Sequence, residues 1–277
     1  MFTALSCKID PMRVDKKNLA KRTFGPSFPQ FDRDGSFISM QLETPMIKVA
    51  APGSKPSISE FLYACGLKEI ITAGTSVRYE PQTPSDVDAA QSSTAEAYIG
   101  GIKYKLIGMR GNFTLSGSPK DGLNAKFDLS APYIQPTPDS AAPSALPYPG
   151  NVMTFSTATA VLANAQPIDI GQFEFSLNAE IVKDVSSSGV TVFLLNHKPT
   201  LKINPYAVAT KSDWQSLLES ELFSFSASFN NGAFVLSAPN VALIQSNPKD
   251  RAGRISNEQE FECFETSGDD QFSMTFS

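Results

Sequence analysis

Hydrophobic and polar residues alternate with a period of two along most of the chain. This period is typical of β-strands that bury one face and turn the other toward water or a partner. The polar positions are mainly Ser, Asn, Asp, Glu and Lys, and the pattern predicts a mainly β protein. The alternating apolar positions are Ile38, Met40 and Leu42; Phe113 and Leu115; Phe127, Leu129 and Ala131; Phe173, Phe175, Leu177, Ala179 and Ile181; Phe223, Phe225, Ala227 and Phe229; Phe234, Leu236 and Ala238; and Phe272, Met274 and Phe276.

Two short segments interrupt the alternation, and each has a helix start signal. Ser57 with Glu60, and Ser212 with Gln215, have the spacing of a capping box, in which both side chains bond free backbone N–H groups. Gly66 is placed to end the first helix in a left-handed conformation. We expect each helix to cover an open side of a sheet with its apolar face. The apolar residues are Phe61 and Leu62 in the first helix, and Trp214, Leu217, Leu218 and Leu222 in the second.

A proline-rich segment divides the chain near its midpoint. Residues 132–149 contain six prolines, which remove backbone donors and favour extended structure. The sequence therefore predicts a linker at 132–149 between a first domain at 1–140 and a second domain at 150–277.

The two parts repeat the same order of features. Each has a strand that ends in proline, at Pro45 or Pro205, then a helix signal, then a hairpin whose last strand contains "FDLSAP" or "FVLSAP". The openings "ALSCKIDPMRVDK" and "SLNAEIVKDVSSS" match more loosely. Several matches in the same order indicate duplication. We therefore predict two similar β-sandwich or partial-barrel domains, each with one short helix.

Composition narrows the range of functions. The chain has 277 residues, 41% of them hydrophobic, which is enough for a sizeable core and for two ordinary domains. A net charge of −5 argues against a general nucleic-acid binder, because such proteins need a basic surface. No apolar run has the length of a signal peptide or a membrane span, which favours a cytosolic product without a membrane partner. Cys7, Cys65 and Cys263 are predicted to be reduced, buried thiols.

A search for catalytic chemistry gives little. His197 is the only histidine, and nothing in the sequence around Cys65 marks an activated thiol that it could serve. No Cys or His pair has metal-ligand spacing, and the glycines lack the context of a phosphate loop, so no metal or cofactor is expected. Glu258, Glu260 and Glu262 could act on a glycosidic bond, but alternating acids on a strand are more simply a solvated face. We therefore expect no catalytic residues and place the function in surfaces.

One part of the chain resembles a known family, the major tail tube proteins of bacteriophages with long, non-contractile tails. The matching features are an apolar helix that ends in Ala-Cys-Gly, a Thr-Ala-Gly-Thr turn, a Tyr-x-Pro strand end, a Leu-x-Gly-x-Arg-Gly strand, and a strand that ends near Tyr-x-x-Pro-Thr. The match is dense over residues 57–137 and differs from the family pattern at 21–35 and after Asn257. The matching residues are Ala64 to Gly66, Thr72 to Thr75, Tyr79 to Pro81, Leu106 to Gly111, and Tyr133 to Thr137.

The resemblance implies a structural protein of the virion tail that is made in the host cytoplasm. Its subunits would form stacked rings around a lumen through which DNA passes without specific binding. It would also contact tape-measure, tail terminator and tail-tip proteins. Family rings contain six barrel-forming domains, so a chain with two such domains implies a trimer with pseudo-six-fold symmetry, with a hexamer as the second possibility.

The lumen wall is expected to be acidic or neutral and polar, because a basic wall would hold DNA through counterion release. Which strands face the lumen stays open at this point. The candidate wall residues are Glu174, Asn178 and Glu180, or Ser224, Ser226 and Ser228.

Charge is placed unevenly along the chain. Residues 8–33 include seven basic and three acidic residues, whereas residues 258–270 include six acidic residues and no basic one. Rings with opposite charge at their two faces would stack with one polarity. We therefore predict a contact between rings made by a basic, aromatic arm and an acidic segment. The arm residues are Lys16, Lys17, Lys21, Arg22, Phe24, Phe28 and Phe31, and the acidic residues are Glu258, Glu260 and Glu262.

Three other functions stay open from the sequence. The first is a carbohydrate-binding or receptor-binding β-sandwich at a virion or cell surface. The second is a tube component of a secretion system, which would obey the same physical requirements as a tail tube. The third is an enzyme of unknown type.

Overall fold

The fold is that of a computed structural model of the chain. Within the residues that it describes, the chain forms seventeen β-strands and one short α-helix. The protein is therefore mainly β, as the alternating pattern predicts. The described residues are 4–14, 30–82, 92–138, 151–155, 159–162, 166–168, 170–187, 189–205, 221–251 and 253–277.

The strands lie on both sides of the proline-rich segment. Those before it are β1 (Ala4–Val14), β2 (Gln30–Pro45), β3 (Leu67–Thr72), β4 (Ser76–Pro81), β5 (Ser93–Ile99), β6 (Ile102–Ser118) and β7 (Gly122–Pro132), with α1 (Ser59–Ala64) between β2 and β3. Those after it are β8 (Thr159–Leu162), β9 (Gln166–Ile168), β10 (Ile170–Ser176), β11 (Ala179–Ser186), β12 (Gly189–His197), β13 (Thr200–Pro205), β14 (Leu222–Phe229), β15 (Phe234–Arg251), β16 (Arg254–Phe264) and β17 (Ser273–Phe276).

Fifteen strands form one antiparallel sheet that includes both halves of the chain. Its main path runs in the order β1, β2, β7, β6, β10, β13, β16, β15, β14, β8, β9. The sheet is open, since β1 and β9 at the two ends of the path do not pair with each other. The halves meet where β6 pairs with β10, and again where β4 pairs with β17. Strands β11 and β12 form a separate two-stranded hairpin.

One face of this sheet forms the core. Leu42, Phe127 and Phe113 are neighbours on successive strands, and all are buried. A second buried row continues through the other half, from Leu115 through Phe175, Leu201 and Phe261 to Leu243. These residues belong to one buried cluster that includes both halves. The period-two prediction is confirmed for these strands because alternate side chains point to opposite faces.

The first helix ends where predicted but begins later. Gly66 has φ +79° and follows the helix, as a left-handed terminating glycine does. The predicted capping box is wrong, because Ile58 is the N-cap residue and no side chain caps the helix start. Ile58 is 4% exposed, and the Ser59 N–H donates to the Pro56 carbonyl at 3.0 Å. Burial of Ile58 therefore places the chain in a turn that leaves Ser57 exposed.

Several predictions lie partly or wholly outside the described residues. The second helix, signalled by Ser212, falls in 206–220, which the structure does not describe. Leu222 was assigned to that helix, but it begins β14 and is 57% exposed. The linker at 132–149 is described only as far as residue 138, and the domain boundaries stay a prediction.

The predicted repeat has a counterpart in the strand order. In the first half β1 pairs with β2, β2 with β7, β7 with β6, and β6 with β5. In the second half β10 pairs with β13, β13 with β16, β16 with β15, and β15 with β14. In each half the first strand pairs with the second, which then pairs with the second arm of a long hairpin.

One of the matches used to predict the repeat is wrong. "FDLSAP" lies at the end of β7, whereas "FVLSAP" begins β15. By strand order the counterpart of β7 is β16, and the counterpart of β15 is β6. The two motifs therefore reflect similar alternation on strands that are not equivalent.

Candidate assembly surfaces

The face of the sheet opposite the core carries two polar rows that cross both halves. One row of neighbouring residues crosses six strands as Glu43, Lys126, Thr114, Ser176, Thr200 and Glu262. The next row crosses six strands as Asn124, Ser116, Glu174, Lys202, Glu260 and Gln245. The two rows contain four carboxylates and two amines, so this polar face has an excess of negative charge.

Hydrogen bonds and ion pairs order the polar face. The Lys202 Nζ lies 3.6 Å from Glu260 Oε1 and 3.9 Å from Glu174 Oε1. The hydroxyl oxygens of Thr114 and Ser176 are 3.2 Å apart across the junction of the two halves. Since Lys202 is surrounded by carboxylates, its positive charge is partly neutralised and the face offers little to hold a phosphate backbone.

A cleft of about 710 Å³ lies on the polar face around the β6–β10 junction. Its walls include Ser116, Asn124, Glu174 and Asn204, with Phe173 as the aromatic residue. Most of the side chains in these walls are polar and bind water well, whereas small-molecule sites are lined mainly by apolar and aromatic side chains. The cleft therefore has the same kinds of side chain as the rest of the polar face.

The three glutamates predicted to contact the next ring are in β16 and form ion pairs within the chain. Glu262 Oε2 lies 3.0 Å from Lys198 Nζ, Glu260 pairs with Lys202, and Glu258 pairs with Lys249. All three side chains share the polar face of the sheet. Their role between rings stays a prediction. A neighbouring ring that bound these glutamates would have to displace Lys198, Lys202 and Lys249.

The predicted lumen residues lie in four different places. Glu174 is on the polar face. Asn178, at φ 49°, lies between β10 and β11 and donates from Nδ2 to Thr200 Oγ1 at 2.8 Å. Glu180 is in the β11–β12 hairpin. The serines Ser224, Ser226 and Ser228 are in β14, away from the two central rows.

Among the described residues, the open strand edges include those of β1 and of the later part of β15. β1 pairs with β2 on one side, and no described strand pairs with its other side. β15 pairs with β14 only as far as Ala242, whereas its pairing with β16 continues to Arg251. Open edges expose backbone donors and acceptors and readily pair with another chain.

The β11–β12 hairpin of the second half lies across the first half. The Lys183 Nζ is 3.0 Å from Asp10 Oδ2 and 3.2 Å from Ser39 Oγ, and it lies 5.5 Å from the centre of the Phe37 ring. Burial tends to raise the pKa of Asp10, but hydrogen bonds from Ser39, Lys183 and Lys8 outweigh it and lower the pKa to about 2. This contact therefore holds an ionised carboxylate at neutral pH.

The arm predicted from the sequence is described only at its end. Lys16, Lys17, Lys21, Arg22, Phe24 and Phe28 lie outside the described residues. Phe31 is described and is 58% exposed. It lies in the outer part of the β1–β2 hairpin with Ile9 and Met12, which are 40% and 39% exposed. This end of the hairpin therefore presents apolar side chains to solvent.

The residues that carry the family resemblance have specific structural roles. Ala64, Cys65 and Gly66 end α1, and Gly74 has φ +69° in the turn between β3 and β4. A Cβ on Gly111 would lie 2.2 Å from the Asp128 carbonyl oxygen, so this position on β6 requires glycine. The motif thus specifies a helix end, a tight turn and a close approach of strands.

Cys65 and Cys263 are buried rather than activated thiols. Burial raises the pKa of the Cys65 thiol and raises that of Cys263 to about 12, the opposite of the lowered value that an activated thiol needs. Cys7 is half-buried. The Nε2 of His197 lies 3.3 Å from Gln271 Oε1. The prediction of buried thiols is therefore confirmed for Cys65 and Cys263.

Sequence reasoning missed the surface contacts that depend on distant residues. Lys126, Lys202 and Lys183 were not singled out, although the first two occupy polar positions of alternating strands. Alternation shows which face a residue occupies but not which residue lies beside it. The only sign of these contacts in the sequence is a charged residue at a polar position of a strand.

Comparisons with known proteins give no family. No protein-family model matches the chain, and no curated protein matches it. Within the part of the chain that the structure describes, no helix has the length and apolar character needed to cross a membrane.

Proposed function

We propose that the protein is a structural subunit of a bacteriophage tail tube. Its copies form rings that stack into the conduit through which DNA leaves the virion. In this role the protein performs no catalysis and needs no cofactor. Its partners are other copies of itself and, in the assembled tail, tape-measure, terminator and tail-tip proteins.

The main support is the continuous antiparallel sheet with one apolar and one polar face. Along the main path, seven strand pairings connect β1 to β15. The buried row faces a core, and the two polar rows offer a wide, hydrated wall with excess carboxylate. A wall of this kind lets a polyanion slide, because it provides few cations for counterion release.

The repeated strand order supports three copies in each ring. Each half contributes one set of strands in the same pairing order, so three chains supply six sets. A head-to-tail contact closes into a ring when its rotation matches the symmetry. The resulting ring has three true copies and six similar units around the lumen.

A carbohydrate-binding protein of a virion surface is the alternative. The cleft around Glu174 and Asn204 is the described feature that favours it, because hydroxyl-rich ligands bind polar, open clefts. Its aromatic residue, Phe173, is only 2% exposed, whereas sugar sites usually stack rings on exposed aromatic side chains.

Negative-stain imaging of the purified protein separates these functions. The tail-tube proposal predicts rings with a central hole that stack into tubes as protein concentration rises. A glycan-binding measurement on the same sample is expected to give no specific signal. A compact monomer with specific glycan affinity would instead support the alternative and overturn the proposal.

A further inference from the structure

The turn that joins β14 to β15 contains the only Asn-Gly pair of the sequence, Asn231 and Gly232. Asn230, Asn231 and Gly232 have φ values of 51°, 56° and 86°. The Ala233 N–H closes the turn by donating to the Asn230 carbonyl at 3.3 Å. Glycine and asparagine adopt this left-handed conformation more readily than other residues. The turn thus favours these residue types, and it places a thermolabile asparagine directly before a glycine.

The Asn-Gly pair is open to solvent. Asn231 is exposed, and a Cβ on Gly232 would meet nothing within 4 Å. The hydrogen bond that closes the turn is donated by Ala233 and not by Gly232. Local opening of a protein concentrates at loop tips. The Asn231 side chain therefore has room to reach the backbone nitrogen of Gly232 when the turn opens.

We propose that Asn231 is a site of spontaneous deamidation, and that its isoaspartate product loosens the junction between β17 and β4. In the first step the backbone nitrogen of Gly232 loses its proton to hydroxide and attacks Cγ of Asn231. A bond from this nitrogen to Cγ forms, and the bond from Cγ to the side-chain nitrogen breaks. The side-chain nitrogen takes a proton from water and leaves as ammonia. The product is a cyclic succinimide.

Water then opens the succinimide at either of its carbonyl carbons. Attack at Cγ breaks the bond from Cγ to the Gly232 nitrogen and gives aspartate with a normal backbone. Attack at the backbone carbonyl carbon gives isoaspartate, in which the main chain runs through Cβ and Cγ and is longer by one carbon atom. Either product adds a negative charge to the turn. The reaction consumes water, releases ammonia and needs no oxidant or reductant.

Ala233 couples this turn to the end of the chain. Ala233 is 4% exposed, and its carbonyl accepts a hydrogen bond from the Ser277 N–H at 3.0 Å. This bond continues the ladder in which Phe234 lies opposite Phe276. An extra carbon atom in the main chain beside Gly232 must be absorbed by the turn or by a shift of Ala233. A shift of Ala233 acts directly on the last hydrogen bond of β17.

Buried aromatic rings connect the turn with the first half of the chain. Phe229 and Phe234, on either side of the turn, have ring centres 5.7 Å apart. The Phe276 ring lies 5.0 Å from Phe234 and 5.8 Å from Tyr79. Tyr79 is in β4, which pairs with β17. The turn, β17 and β4 therefore pack as one unit, and a change of backbone length in the turn reaches the junction of the two halves.

Two other asparagines with positive φ serve as standards within the same molecule. Asn178 has φ 49°, but alanine follows it, and its Nδ2 donates to Thr200 Oγ1 at 2.8 Å. Asn230 is followed by asparagine, and its Oδ1 accepts a hydrogen bond from the Thr154 hydroxyl at 3.5 Å. Both share the left-handed backbone of Asn231 without a glycine as the next residue. We therefore expect both to convert more slowly than Asn231.

Mass spectrometry of the full chain tests the site without any substitution. The protein is kept in mildly alkaline buffer, and its peptides are analysed over time for replacement of an amide by a carboxylate. Fragmentation assigns the change to Asn230 or Asn231. Asn231 is expected to convert first, at a rate that rises in proportion to the hydroxide concentration. Conversion of Asn178 or Asn230 ahead of Asn231, or an Asn231 that stays intact, would overturn the site.

Asn231→Gln is the matched variant for the chemistry. It keeps the amide, but attack by the Gly232 nitrogen must then close a larger and less favourable ring. Loss of the conversion at position 231 is expected. A variant that releases ammonia as fast as the unmodified protein would contradict the proposed attack.

Asn231→Asp separates the effect of charge from that of backbone length, because it has the charge of the product and a normal backbone. Aged protein that contains isoaspartate, detected with an isoaspartate methyltransferase, is expected to unfold at a lower temperature than Asn231→Asp. Its Ser277 amide is expected to exchange hydrogen faster. Equal unfolding temperatures and equal exchange would overturn the coupling to β17. The reaction needs only one chain and water, so these results are independent of the tail-tube function.

Discussion

At the residue scale, the carboxylate of Glu69 is a buried charge that accepts hydrogen bonds from Lys55, Tyr79 and Tyr63. Its side chain is 3% exposed and lies 2.8 Å from Lys55 Nζ, and the Tyr79 hydroxyl donates to Glu69 Oε2 at 2.7 Å. Burial tends to raise the pKa of Glu69, but the hydrogen bonds from Lys55 and Tyr79 outweigh it and lower the pKa. This cluster stabilises the β3–β4 hairpin next to α1.

We predict that Tyr79→Phe destabilises the protein by about 1–3 kcal/mol, because it removes one donor from a buried carboxylate. Tyr98→Phe is the matched control, since its hydroxyl also donates to a glutamate, Glu96, at 3.0 Å in an exposed setting. The control is expected to change stability much less than Tyr79→Phe does, because its hydrogen bond is exposed to solvent. Urea denaturation measures both, and equal losses would contradict the assigned role of burial.

Acid is expected to weaken the same cluster. A carboxylate whose pKa is lowered by folding contributes stability above its unfolded pKa, about 4.3 for Glu, and loses it as pH falls through the folded value. Glu69→Gln should therefore unfold with a smaller dependence on pH below about pH 4.5. Denaturation midpoints across this range test the prediction, and an unchanged slope would show that Glu69 is not a source of acid sensitivity.

At the scale of elements, the end of α1 contacts the hairpin of the other half. A Cβ on Gly66 would lie 3.2 Å from Leu194 Cδ1, whereas a Cβ on Gly74 meets nothing within 4 Å. Both glycines have positive φ, at +79° and +69°. The two positions thus have similar backbone strain but different surroundings.

Gly66→Ala and Gly74→Ala are each expected to cost about 1 kcal/mol or more through backbone strain. The cost at Gly66 should be larger, because Leu194 must move to make room. Adding Leu194→Ala should remove that excess and leave the cost at Gly74 unchanged. Thermal unfolding measures these differences, and an excess that persists without the Leu194 side chain would rule out this contact as its cause.

The sequence predicts the individual strands better than their partners. Alternation at Phe127, Leu129 and Ala131 depends on neighbours two residues apart, and the burial of these residues confirms it. The pairing of β6 with β10 joins residues about 60 positions apart, and no local pattern encodes that register. The capping box at Ser57 failed for a related reason, since burial of Ile58 in the tertiary core decided the turn.

For the candidate surfaces too, the sequence predicts the face on which a residue lies but not its neighbours on that face. Glu174 was assigned to a polar face from alternation alone and lies on one. Its neighbours on that face, Lys202 and Ser116, belong to two other strands. The mistaken equivalence of "FDLSAP" and "FVLSAP" has the same origin, because similar alternation arises on any strand with one buried face.

At the scale of the whole molecule, the uneven charge leads to a prediction about stacking. Charge reversal at Lys16, Lys17, Lys21 and Arg22 is expected to leave single rings intact and to block tube growth. The reason is that growth brings this basic arm toward an acidic face of the next ring. Sedimentation separates rings from tubes, and tubes of the unmodified protein should weaken as salt screens the charges. Normal growth of the reversed protein would contradict the arm's role.

The central claim is that copies of this chain continue one sheet around a lumen. Electron cryomicroscopy of the assembled protein tests it most directly, because a reconstruction shows both the number of chains in each ring and the face that lines the hole. We expect three chains per ring, with Lys126 and Glu174 on the inner wall. Six chains per ring, or an inner wall formed by another surface, would contradict the account.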